Sequence, residues 1–204
     1  MTFYRSHGTY CAETTLKSAL SLKGIEKKIS ELIASTRHEK GKGLWPVELA
    51  SAFLDLNIQF DYPVKPEFKQ DLFQEELKRK IKGHYGQIDG SRIIIESNLS
   101  NILRSQKRIL NKGLFQLKEE RNINLERDIG NERLALVLIN SDKYFRREDK
   151  NHGHYILIFG QEGNNFRYYD CGPKSFNVNG KMNKREFYEI SNGISMIDWG
   201  ILLI

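Results

Sequence analysis

The chain has 204 residues, 39% of them hydrophobic and 28% charged, with 32 Lys and Arg against 26 Asp and Glu for a formal charge of +6. That length supports one domain with a full hydrophobic core, and no apolar run approaches the roughly 20 residues of a membrane span. A positive balance of this size is common in proteins without an acidic partner, so nucleic acid is not the expected ligand.

The opening "MTFYRSHGTY" holds no apolar stretch of signal-peptide length. Two cysteines, at positions 11 and 171, make no disulfide framework. A cytoplasmic protein with two thiols is expected. Ala12, Leu16, Ala19 and Leu20 repeat at helical spacing, and Gly24 stands where a C-terminal cap belongs. A second helix is predicted over 25–34, with Ile25, Ile29, Leu32 and Ile33 on one face. "GKG" at 41–43 interrupts the chain, and Pro46 opens a third helix whose Val47, Ala50, Phe53 and Leu54 face inward. "IQFDY" at 58–62 alternates as a strand does and ends at Pro63.

Residues 65–132 change texture. Long charged segments, predicted helical over 68–81 and 99–110, flank a short apolar "RIIIE". This stretch is a candidate insertion or lid within a single domain spanning 1–204. After it, "LALVLI" (134–139), "YILIFG" (155–160), "FRYYD" (166–170) and the closing "GILLI" predict an antiparallel sheet. Helices first and strands later give an α+β layer arrangement.

"QEGNN" separates two of these strands with turn chemistry, so they are expected to form a hairpin. In a register that keeps them on one face, His154 and Asp170 stand opposed or diagonal, with Cβ atoms about 5–8 Å apart. A slip of one residue would separate them. Cys11 sits at the start of the first helix, where the helix end and a nearby imidazolium lower a thiol's pKa. Nucleophile, base and orienting carboxylate are thus available as Cys11, His154 and Asp170 in chain order.

At these residues the chain resembles the papain-like cysteine peptidases, most of all the double-glycine leader peptidases that trim bacteriocin precursors. The likeness rests on the helix-start cysteine, "KKISELIAS", "GLWPVELASAFLDLNIQF", "RLALVLIN", the "GHY" strand start of Gly153, His154 and Tyr155, and the strand-closing Asp170. It covers roughly 4–62 and 131–190; phytochelatin synthases and a guanylyl-cyclase-like family share the pattern. The resemblance implies a papain-like fold, with N-terminal helices carrying the cysteine packed on a C-terminal antiparallel sheet carrying His154 and Asp170. It also implies cleavage of a peptide or isopeptide bond in a peptide or protein substrate, with no cofactor. Acyl or amide transfer with the same triad, and a catalytically weak protein-binding module, are the alternatives.

Three positions depart from the family pattern. Ala12 and Glu13 follow the cysteine where glycine and a small residue or proline are usual, and Cys171 follows Asp170 where proline is common. Arg5 occupies the place of the glutamine that donates to the oxyanion, and losing such a donor typically costs about 10²–10³ in rate. Arg5 or His7 is the replacement candidate, beside the backbone N–H of Cys11. Plainer readings stand beside these. Cys171 reads as a packing or turn thiol, and Trp45 and Tyr10 as core before cleft. "LKRKIKGH" and "RSQKRILNKG" read as solvated helix faces. The H-x-H pair of His152 and His154 could chelate zinc with Cys11 or Asp170, but no other metal-ligand spacing occurs, so no metal is expected.

Overall fold

The computed structural model describes residues 2–6, 10–65, 72–114, 116–117, 124–148, 151–173, 175–191 and 200–204. The chain opens with three helices, α1 (Cys11–Leu22), α2 (Ile29–Thr36) and α3 (Pro46–Asp55). On α1 the predicted stripe of Ala12, Leu16, Ala19 and Leu20 is buried, as are Thr15 and Ser18 beside it. The helix is therefore enclosed on more than one side. Gly24, at φ +75°, ends α1 in a left-handed turn. Its N–H donates to the Ser21 carbonyl at 3.1 Å, and the Ile25 N–H reaches the Leu20 carbonyl at 2.9 Å. That pair of bonds is a Schellman cap. It corrects the predicted second helix: Ile25 closes α1, and α2 begins four residues later.

The predicted strand over 58–62 is also corrected. Only Asp61 there pairs with a strand, in an antiparallel bridge to Leu203. The ladder stops at the next residues because the chain turns into β1 (Pro63–Val64), which runs parallel to β2 (Gln116–Leu117). The charged middle section forms α4 (Gln74–Tyr85), α5 (Gln87–Ile95), α6 (Leu99–Lys112) and the short α7 (Leu125–Gly130). "RIIIE" lies on α5 and its end; residues 68–71 of the predicted helix fall outside the described residues. Leu77, Ile81, Ile102 and Ile109 join the same core as α1 and α3, so these helices are built onto the body of the domain.

The remaining elements are β3 (Ala135–Asn140), α8 (Ser141–Tyr144), β4 (Gly153–Glu162), β5 (Asn165–Asp170), β6 (Asn177–Asn183), α9 (Lys184–Ser191) and β7 (Ile201–Leu203). Five of the strands make an antiparallel sheet in the order β6-β5-β4-β3-β7. Alternation sends Leu136, Leu138, Tyr155, Leu157 and Tyr169 toward α1 and α3. Val137, Ile139, Ile156, Ile158 and Phe166 face α7 and α9 on the other side. The sheet is buried on both faces, which explains the unbroken apolar runs of β3 and β4. Mixed α+β architecture is thus observed. Among the described residues, no helix is long and apolar enough to cross a membrane.

Leu157 lies fully buried in the central strand. Leu157→Ala is expected to lower unfolding free energy by about 2–5 kcal/mol, measured by urea titration. Ile88→Ala, at a side chain 88% exposed, should change it by no more than about 0.5 kcal/mol.

Candidate active site

Cys11 is the first residue of α1, and the first N–H groups of a helix have no intrahelical acceptor. Side chains behind it tie that turn to the sheet. Thr15 Oγ1 donates to the Tyr155 carbonyl at 3.3 Å and to Cys171 Sγ at 3.4 Å, and Cys171 Sγ donates to the Cys11 carbonyl at 3.3 Å. Cys171 is fully buried, and burial, with the Cys11 sulfur nearby, pushes its thiol up. It serves as a rivet beneath the nucleophile candidate.

His154 and Asp170 come together through a defect in the sheet. At the hairpin tip Glu162 pairs with Asn165, Gln161 with Phe166 and Gly160 with Arg167. Continued unchanged, that register would set Asp170 opposite Leu157, on the face away from His154. A bulge between Ile158 and Gly160 absorbs Phe159, and beyond it Asp170 pairs with Ile156. Ile156 and His154 are alternate residues, so carboxylate and imidazole now share a face. His154 Nε2 meets Asp170 Oδ1 at 2.7 Å, with the carboxylate side chain fully buried and the imidazole 12% exposed. The Gly172 N–H also donates to Asp170 Oδ1, at 2.8 Å.

Cys11 and His154 line the same cleft, close enough for each to shift the other's pKa. Burial alone would raise the thiol's pKa, but the hydrogen bond and charge of His154, together with the Tyr155 amide, hold it below its ordinary value. Burial would likewise lower the imidazole; bonds to Asp170 and Cys11 reverse this and lift it to about 10. Asp170 resists its own burial because His154, the Ser175 hydroxyl and the Gly172 amide favour the carboxylate, which stays below its usual range. All three directions favour a thiolate beside an imidazolium.

Cys11 and His154 open onto a cleft of about 450 Å³, walled by Leu44, Trp45, Tyr85, Ile93 and Leu138. Trp45, read as core, is both: it is 8% exposed, and its indole N–H donates to Ser97 Oγ at 3.0 Å. Arg5 is not among the residues lining this cleft, though Pro173 is. Its guanidinium donates to the Pro173 carbonyl and lies 5.7 Å from the Phe176 ring centre. His7 lies outside the described residues. The H-x-H pair divides its attention: His154 goes to Asp170, while His152 Nδ1 goes to Asp142 Oδ2 at 2.8 Å. Among the described residues, no group of three or more His, Cys, Asp or Glu could hold a metal ion.

Two features have no signature in the sequence reading. One is the contribution of α4 and α5 to the cleft wall, through Tyr85 and Ile93. The other is a buried polar cluster behind Cys11. Glu13, two residues after the cysteine, bonds His38 Nδ1 at 2.6 Å and accepts from the Thr36 hydroxyl at 3.0 Å. His38 Nε2 is 2.8 Å from the Lys42 carbonyl, so the pair fixes the loop carrying Gly41 to Gly43 on the cleft rim. Burial of His38 is outweighed by Glu13, which keeps its pKa raised. Burial raises Glu48, next to this cluster, to about 7, although Trp45 and Asn101 donate to it.

The chain matches no protein-family model, no curated protein and no solved structure.

A raised imidazole pKa means the ion pair stabilises the fold fully below the ordinary value near 6.5 and loses that contribution as pH climbs through about 10. In an NMR titration, His154 is expected to remain protonated through neutral pH. Asp170→Asn should bring its titration down, since the group that holds the proton is gone.

Proposed function

We propose that the chain is a papain-like thiol hydrolase, acting on a peptide or isopeptide bond of a peptide or protein substrate, in the cytoplasm. One observation carries the reading: a helix-start thiol lines the same cleft as an imidazole that is bonded at 2.7 Å to a buried carboxylate. The helix-borne cysteine packed on an antiparallel sheet that holds histidine and aspartate supports the same conclusion.

Each group then has a role. Cys11 sulfur attacks the carbonyl carbon, and the imidazolium of His154 gives its proton to the departing amine. Asp170 keeps the ring turned so that one nitrogen faces sulfur. The N–H of Cys11, at the open first turn of α1, supplies one donor for the oxyanion. Arg5, the other sequence candidate, donates through Nη2 to the Pro173 carbonyl. The Tyr155 amide is committed to the sulfur itself, so it does not fill that place. A thioester on Cys11 and a free amine result, and a second nucleophile then resolves the thioester.

Alkylation by iodoacetamide at pH 6 tests the reading. A thiol next to an imidazolium is substantially ionised there, whereas an ordinary one near pKa 8.5 is not. Cys11 should react at least about tenfold faster than Cys11 in the His154→Ala variant. Equal rates in the two proteins would leave a binding module as the better account.

A further inference from the structure

α5 is tied at its two ends to two different walls of the cleft. At the C-terminal end the Ile95 carbonyl accepts from Lys42 Nζ and the Glu96 carbonyl from the Gly43 N–H, each at 2.6 Å. Ser97 Oγ takes the Trp45 indole N–H at 3.0 Å, and Asn98 Nδ2 donates to Glu39 Oε2 at 3.2 Å. Gly43 and Ser97 also form a parallel β-bridge. At the N-terminal end Asp89 Oδ2 accepts from Asn151 Nδ2 at 3.2 Å. Residues 41–45 line one wall and residues 151–155 the other. From Asp89 to Glu96 the helix covers about 10 Å, so it runs from wall to wall.

The helix is also backed and stiffened. Gly90 lies so close to α4 that a Cβ there would come 2.7 Å from the Lys82 Cα. Arg92 pairs with Glu96 Oε2 at 2.6 Å and with Asp89 Oδ1 at 3.8 Å, joining successive turns on one side of α5. Arg92, Ile93 and Glu96 line the cleft, with Tyr85 from the end of α4 beside them. A helix braced along its length and pressed on a second one is a fixed barrier, not a loop that a passing chain pushes aside.

The size of the cleft agrees with a closed end. Its volume of about 450 Å³ lies in the lower part of the range that encloses a small molecule, about 300–1,000 Å³. A cube of that volume is roughly 8 Å on a side, the reach of about two or three extended residues. A peptide bound at an internal bond needs open space on both sides of the reacting carbon, and α5 occupies one of them. We propose that the substrate enters by a free chain end and that α5 sets the number of residues between that end and the bond cut. The substrate class is thus a peptide terminus, an assignment that rests on the thiol-hydrolase reading and adds its specificity. Hydrolysis consumes one water and yields a short terminal fragment and the shortened chain. Tyr85 and Ile93 meet the terminal side chain. The barrier carries both signs, Lys42 and Arg92 against Glu96, so a terminal ammonium or carboxylate finds an opposite charge there.

The test incubates the full chain with a library of tryptic peptides and maps the cut sites by mass spectrometry, with Cys11→Ala as the blank. Cuts are expected within about three residues of one terminus, and the side on which they fall tells amino from carboxyl end. Ile93→Ala and Tyr85→Ala each deepen the barred end. Each should move the cut about one residue farther from the terminus, a change of position that a loss of stability does not produce; thermal unfolding shows which variants are folded. Cuts spread along the parent's peptides overturn this inference alone, and so does an unmoved cut in a folded variant. If the parent makes no cut that Cys11→Ala lacks, the thiol-hydrolase reading falls and takes this one with it.

Discussion

Nε2 of His154 and a fully buried oxygen of Asp170 lie 2.7 Å apart, with the carboxylate wholly removed from solvent. Burial by itself would discharge both groups. Together, and with the Gly172 amide on the carboxylate, they stay ionised and the ring orientation is set. The state of Cys11 is a consequence, since an imidazolium fixed at one nitrogen has the other to offer sulfur. Without the carboxylate, burial would favour a neutral ring and a neutral thiol, and the cleft would hold two inert groups.

The rest of the fold holds that geometry in place. Cys171 and Thr15 pin the first turn of α1 to the sheet, so that sulfur and ring are positioned by rigid elements rather than by loops. Behind the helix, Glu13 and His38 brace the glycine-bearing rim through the Lys42 carbonyl. The glutamate follows the cysteine by two residues, so the same turn of helix presents a thiol to the cleft and a carboxylate to the interior. α4 and α5 complete the wall with Tyr85 and Ile93, and Asn151 Nδ2 on Asp89 at 3.2 Å ties α5 to the segment leading into β4. The charged middle section thereby reaches the site itself.

What could be read from residues alone followed from strong periodicity and from local turn chemistry. The stripe of α1, the Pro46 start of α3 and the apolar runs of β3 and β4 lie where the pattern puts them. β6 escaped because "NVNGKMN" is rich in turn formers. Its Gly180 is there for space, since a Cβ at that position would come 2.3 Å from the Tyr168 ring. Ile25 was misplaced because an apolar residue that closes one helix looks like the start of another. Pairs such as Glu13 with His38 and Asp142 with His152 are set by tertiary packing across 25 and 10 positions, and no local spacing announces them. The meeting of His154 with Asp170 was legible as a requirement, but Phe159 carries no mark of the bulge that satisfies it.

That bulge also sets a rule for comparing this chain with others. Parity along the hairpin is counted from the tip, so a homologous strand one residue shorter would carry its acid on the opposite side unless a compensating irregularity appeared elsewhere. When such chains are aligned, the gap belongs at Phe159 and not in the Gly163–Asn164 connection, where convention would set it. Length variation at the tip is harmless as long as this one surplus residue is kept.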